Sequence, residues 1–263
     1  MRVACLGDIM LDVIVATEHA LRPDDDTPAT ITFAPGGQAA NVATWVVALG
    51  GEAVVYGARG PGSGRLAVSA LREKGVTVVG PEVERSGAVV SLVSGSVRTL
   101  ASDGGSTSWL DEVEGGDWLE DADWLFLSGY ALLRARDPRA IRELALGHRV
   151  AVDLSSAGMI EEYGAARFRE LWLSLEPAVV FANDEEWAVA SAPLDGVVVV
   201  KHGADGATFD GVAHAALPTT VVDVTGAGDA LTAGWLVGGP DLAMRTAAHC
   251  VAQVGAQPRI SRG

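Results

Sequence analysis

The chain has 263 residues, a formal charge of −15, and 49% hydrophobic against 20% charged residues, which gives enough apolar material for one large domain with its own core. That acidic balance excludes a nucleic-acid partner, which requires a basic face, but leaves room for a local anion site. No apolar run approaches the roughly 18 residues a membrane span needs, so no membrane partner is expected. Cys5 and Cys250 lack CxxC spacing and read as buried thiols of a cytoplasmic protein.

Met1 leads into Val3-Ala4-Cys5-Leu6, a short apolar run closed by Gly7-Asp8, which reads as a buried strand rather than a leader. Further strand-length apolar runs follow at 53–56, 124–127, 150–152, 179–181 and 197–200. Between them lie amphipathic stretches at 39–49, 66–74, 138–146, 165–174 and 185–190. This alternation predicts an α/β protein, a three-layer α/β/α sandwich around a mainly parallel sheet. Residues 13–15, 29–33 and 88–100 break the alternation, and the last stretch reads as a hairpin turning at Ser94-Gly95-Ser96. They predict a small β lid, about 13–35 and 86–104, over the carboxyl ends of the parallel strands, where open α/β sheets bind ligands. The whole of 1–263 is expected to be a single domain carrying that lid. Asp24-Asp25-Asp26, between Pro23 and Thr27-Pro28, is expected to be a solvated turn rather than a metal site, because neighbouring side chains diverge.

The strongest chemical signal is Asp223-Val224-Thr225-Gly226-Ala227-Gly228-Asp229-Ala230, followed by apolar residues 231–237. Two glycines before a helix leave consecutive backbone N–H groups unobstructed. With the helix N-terminus they can cradle negative charge developing on a phosphoryl group. Asp229, in the first helical turn, can then take a proton from an attacking hydroxyl. An ordinary glycine turn with an aspartate cap would explain Gly-x-Gly-Asp alone, but it does not explain the whole octapeptide.

This octapeptide resembles the C-terminal signature of the ribokinase-like, or PfkB, carbohydrate and nucleoside kinases, and further family features occur in order along nearly the whole chain. Gly7-Asp8-Ile9-Met10-Leu11-Asp12 resembles the strand-one turn, where the resemblance implies that Asp12 binds acceptor hydroxyls. Gly36-Gly37-Gln38-Ala39-Ala40-Asn41 resembles the N-terminal signature and implies acceptor contacts from Gly36, Gly37 and Asn41. Asn183-Asp184-Glu185-Glu186 resembles Asn-x-x-Glu, which in the family organises Mg²⁺ and phosphate through water; it is also a natural helix cap, and the two roles are compatible. Lys201-His202-Gly203-Ala204-Asp205-Gly206 resembles the nucleotide-side loop. Lys201 stands where relatives often carry Thr and is a candidate phosphate contact. Thr225 is carried over as an ATP-side residue and Asp223 as a candidate ligand for a monovalent cation.

The resemblance implies ATP and Mg²⁺ as cofactors, a sugar or nucleoside as acceptor, and a homodimer formed through the lid. It leaves K⁺ activation open, since Arg259 falls near a position that is Ser in ribokinase. Departures from the family pattern concern the acceptor: Gly62 stands where an Asp is usual, Met10 replaces a polyol-binding Asn, and Gln38 replaces a common Lys. Trp109 and Tyr130 serve equally well as base-stacking walls or core aromatics. A non-catalytic sensor on the same scaffold is a weaker alternative, because Asp229 and both glycines are retained. A dinucleotide-dependent oxidoreductase fails, since no Gly-x-Gly-x-x-Gly follows Leu6.

Overall fold

The structure is a computed structural model that describes residues 1–94 and 97–259. Strand β1 (Arg2–Leu6) sets the pattern of the core. Val3 and Cys5 point to one face and Ala4 and Leu6 to the other, and all four are fully buried. A strand covered on both faces carries no polar alternation, so its sequence is an unbroken apolar run. Trp124 and Phe126 against Leu125 and Leu127, and Val179 and Phe181 against Val180 and Ala182, divide between the same two cores.

The main sheet has nine strands. Besides β1 they are β4 (Glu52–Tyr56), β5 (Thr77–Val79), β8 (Trp124–Ser128), β9 (Val150–Asp153), β10 (Val179–Asn183), β11 (Val197–Lys201), β12 (Ala207–Phe209) and β13 (Val212–His214). Their order is β13-β12-β11-β10-β9-β8-β1-β4-β5, parallel except for the antiparallel β12 and β13 at one edge. One face carries α1 (Gln38–Ala48), α2 (Ser63–Glu73), α8 (Ala227–Gly238) and α9 (Pro240–Val251). The other carries α3 (Gly129–Arg134), α4 (Arg139–Ala145), α5 (Ala157–Tyr163), α6 (Ala165–Leu173) and α7 (Asp184–Ala190). The expected strands and helices are present within a few residues. Helices α3 and α5, of six and seven residues, were not among the expected elements.

A second sheet has the order β3-β2-β6-β7, built from β2 (Met10–Thr17), β3 (Thr30–Gly36), β6 (Gly87–Ser94) and β7 (Val97–Asp103). β2 and β6 run parallel, and the outer pairs are antiparallel. The predicted hairpin is there, with Ser94 paired to Val97; its turn residues Gly95 and Ser96 lie outside the described residues. Residues 24–26 form an exposed turn, as expected. Both cysteines are buried and unpaired. Among the described residues no helix is long and apolar enough to cross a membrane.

Candidate active site

Polar residues collect where the parallel strands end. Asp153, Asn183 and Lys201 are the last residues of β9, β10 and β11, and register places Asn183 opposite Lys201 and Ser128 opposite Asp153. This is the edge at which open α/β sheets present their ligand crevice. Into it projects the start of α8. Gly226, its cap, has φ 75°, and a Cβ there would stand 2.5 Å from Ala256 Cβ, so both conformation and packing demand glycine. Gly228 lies against the β11 lysine: a Cβ on it would meet Lys201 Nζ at 3.3 Å. The Gly226-Ala227-Gly228 turn, the Lys201 ammonium and Asp229 thus share one small volume.

Asp229 Oδ2 accepts a hydrogen bond from Asn41 Nδ2 at 2.8 Å. The residue is half-buried. Withdrawal of its carboxyl from water pushes its pKa up to about 7; the Asn41 bond and Lys201 oppose the rise, while Asp153 and Asp12 add to it. Asn41 itself is 7% exposed and sits one turn into α1. Gly37 caps that helix with φ 94° and packs on the Asp8 backbone so closely that a Cβ would collide with the Asp8 carbonyl. The half-buried Asp12 lies across Gly36, where a Cβ would strike its carboxyl group. Asp12, Gly36, Gly37, Asn41 and Asp229 therefore lie close together between the small sheet and α8.

At the end of β10, Asn183 and Glu186 make a full capping box at α7. Asn183 N and Nδ2 donate to the two Glu186 oxygens, each at 2.8 Å, and Glu186 N donates to Asn183 Oδ1 at 2.8 Å. Burial, and then the neighbouring Asp153, raise the Glu186 pKa. Gly203 and Gly206 bracket a short 3₁₀ turn after Lys201; Gly203 faces open space, and Gly206 packs on the 214–216 backbone. His202 is held between Asp184 Oδ1 and Thr208 Oγ1, both at 2.7 Å. Asp223 braces its own loop: Oδ1 accepts from Thr225 N at 2.9 Å and Thr225 Oγ1 at 2.5 Å, and Oδ2 accepts from Gly255 N at 2.9 Å.

Several residues here escaped the sequence reading. Asp153, 1% exposed, binds Lys201 Nζ through Oδ2 at 2.7 Å. Burial works against the Lys201 charge, but Asp153 and Glu186 outweigh it and raise the lysine's pKa. Gln38 Oε1 accepts from Ser128 Oγ at 2.5 Å and Ser155 Oγ at 2.7 Å. Arg134 pairs with Asp8. Of the two aromatics in question, Trp109 is core, 7% exposed against Tyr56. Tyr130 belongs to the site: burial, then the charges of Asp153 and Asp229, push its hydroxyl up to about 12. His249 packs edge-on against Trp45.

The sequence profile of the pfkB family of carbohydrate kinases matches residues 1–257. The chain is 30% identical over 261 residues to an ATP-dependent ribose-1-phosphate kinase of Halopiger xanaduensis, covering 90% of this chain and 84% of that one. Among solved structures, a probable sugar kinase from Rhizobium etli superposes with TM-score 0.82 at 23% identity, covering 99% and 96% of the two chains. An adenosine kinase from Sinorhizobium meliloti does so with TM-score 0.82 at 22% identity, with the same coverage. Mainly parallel sheet, small second sheet, glycine turn and sequence match agree: the protein belongs to the pfkB family and is a carbohydrate kinase.

Proposed function

We propose that the protein transfers the γ-phosphoryl group of ATP to a hydroxyl of a small sugar or sugar phosphate. Asp229 Oδ takes the hydroxyl proton as the acceptor oxygen bonds to γ-phosphorus. The bond from γ-phosphorus to the β–γ bridging oxygen breaks, and ADP leaves. The Gly226, Ala227 and Gly228 amides hold the charge that develops on the transferring group, and the Lys201 ammonium, fixed by Asp153, adds to them. Asp12, Gly36, Gly37 and Asn41 orient the acceptor; Thr225, Gly203 and Gly206 line the nucleotide side.

The observation that carries this reading is the single volume shared by the Asp229 carboxyl, the glycine turn and the Lys201 ammonium. A ribose-1-phosphate kinase relative supports a pentose or pentose phosphate as acceptor. A nucleoside is the second reading, favoured by a cleft of about 340 Å³ between the small sheet and residues 221–225, lined by apolar side chains such as Ile14, Val89, Val222 and Val254.

No cluster of three or more His, Cys, Asp or Glu that could hold a metal exists among the described residues. Glu186 would act on Mg²⁺ through water, since both its oxygens already serve Asn183. When bound, Mg²⁺ would neutralise charge on the β- and γ-phosphates. Asp223, whose carboxylate ties the 223–225 loop to Gly255, is the candidate ligand should K⁺ activate the enzyme. Exposed Ile31 and Phe33 on the small sheet support a homodimer through that sheet, which sedimentation at two concentrations tests.

The direct test of the reading is ADP release across sugars, sugar phosphates including ribose 1-phosphate, and nucleosides. One class should raise ADP release well above the rate with ATP alone and yield a phosphorylated product. Release that no acceptor changes would contradict the proposal.

A further inference from the structure

Residues 256–258 are pinned by three consecutive backbone carbonyls. Trp45 Nε1, on α1, donates to Ala256 O at 2.8 Å; Gln253 Nε2 donates to Gln257 O at 2.9 Å; Lys74 Nζ, just past α2, donates to Pro258 O at 2.8 Å. Gln253 is itself fixed, because its Oε1 accepts from Arg259 N at 3.3 Å. The side chain of Gln257 therefore leaves a rigid backbone in one direction. It runs inward, 8% exposed, and its Nε2 donates to Asn41 Oδ1 at 3.0 Å, the same Asn41 whose Nδ2 donates to Asp229.

Hydrogen-bond logic fixes the direction of this chain. A carboxylate only accepts, so Asn41 must turn its NH₂ toward Asp229 and its oxygen away. A group that donates must then face that oxygen, and Gln257 supplies it. Packing alone does not account for a glutamine here. Gln257 Oε1 is buried and has no hydrogen-bond partner among the described residues, a cost that an apolar side chain of similar volume would not carry. What the amide adds to an apolar side chain is its donor.

We infer that Gln257 is a positioning residue for the phosphoryl transfer: it locks the Asn41 amide in the one orientation that holds the Asp229 carboxylate in line for the acceptor hydroxyl. The inference rests on Asp229 being the base. Without the lock the Asn41 oxygen is left buried without its donor, and the amide that donates to Asp229 is held less firmly. The charged and titratable groups facing Asp229 from the surrounding elements are Asp12 on β2, Asp153 on β9, Lys201 on β11, Tyr130 on α3 and Cys250 on α9.

The test is a double-mutant cycle between Gln257→Met and Asn41→Ala, with kcat, the KM for ATP and the pH–rate profile measured on each folded enzyme. Gln257→Met should lower kcat about tenfold with the ATP KM unchanged, and should move the acid limb to higher pH. In the Asn41→Ala background the same change should cost less than about twofold, because the partner through which it acts is gone. If Gln257→Met loses the fold, Gln257→Asn carries the same cycle, since it keeps an amide in the pocket one methylene short of Asn41. Equal losses in both backgrounds, or an unchanged kcat, would overturn the inference. Asp229→Asn is run alongside: if it stays active the base assignment itself has failed, whereas an inactive Asp229→Asn with additive losses removes Gln257 alone.

Discussion

At the residue scale, Asp229 has its proton affinity pulled in opposite directions, upward by burial and downward by Asn41 and Lys201. A pKa of about 7 predicts that kcat/KM falls below pH 7 as the base is protonated, with an acid limb far above that of an ordinary carboxylate. The same shift bears on stability. The folded state keeps a proton that the unfolded chain gives up near the usual aspartate pKa, so stability drains as pH rises from about 4 to 7. Asp229→Asn should flatten that slope in thermal melts recorded across the window.

The two glycines separate in the same way. Gly226→Ala meets both a positive φ and the Ala256 contact and should lower stability by about 1–3 kcal/mol. Gly228→Ala meets the flexible Lys201 side chain, Nζ at 3.3 Å and Cδ at 3.5 Å, so it should melt no earlier than the wild type yet lose turnover through a crowded phosphoryl site. Equal effects of the two changes on melting would contradict this division. These residues could be read from the sequence because they are contiguous. Asp153 could not, because an aspartate ending an apolar run looks like any strand terminus, and its partner Lys201 is 48 residues away.

At the element scale, the proposed lid is the small sheet β3-β2-β6-β7, set against the strand ends and the start of α8. Its strands were recognisable as sheet because they interrupt the strand–helix rhythm, but their bounds shifted: β2 begins at Met10 and β3 runs to Gly36, since pairing of those two residues brings Asp12 over Gly36. Acceptor binding should close this sheet on the pocket and slow amide exchange in β2, β3 and β6; identical exchange with and without acceptor would argue against a lid. Helix α7 raises a separate question, because its capping box and a Mg²⁺ role share Glu186. Glu186→Gln keeps an acceptor for the Asn183 amide while removing the charge, so the fold should hold and the Mg²⁺ needed for half-maximal rate should rise. An unchanged Mg²⁺ titration would leave Glu186 as a cap only.

At the scale of the whole molecule, the site draws on segments from Asp12 to Gln257, so nearly the entire chain must fold before the base has its partners. Local motifs announced the parts proposed to touch phosphate. The parts that orient them, Gln257 against Asn41 at a separation of 216 residues and the Asp8–Arg134 pair, exist only through the sheet order, which no short window of sequence contains. The proposed transfer depends on Asp229 as general base, and single-turnover phosphoryl transfer by Asp229→Asn with the identified acceptor tests that role most directly. The rate should fall by about 10²–10⁴, with ATP affinity and the thermal midpoint retained because the phosphate cradle is backbone and Asn41 can still donate to the new amide's oxygen. Near-wild-type transfer by a folded Asp229→Asn would contradict it.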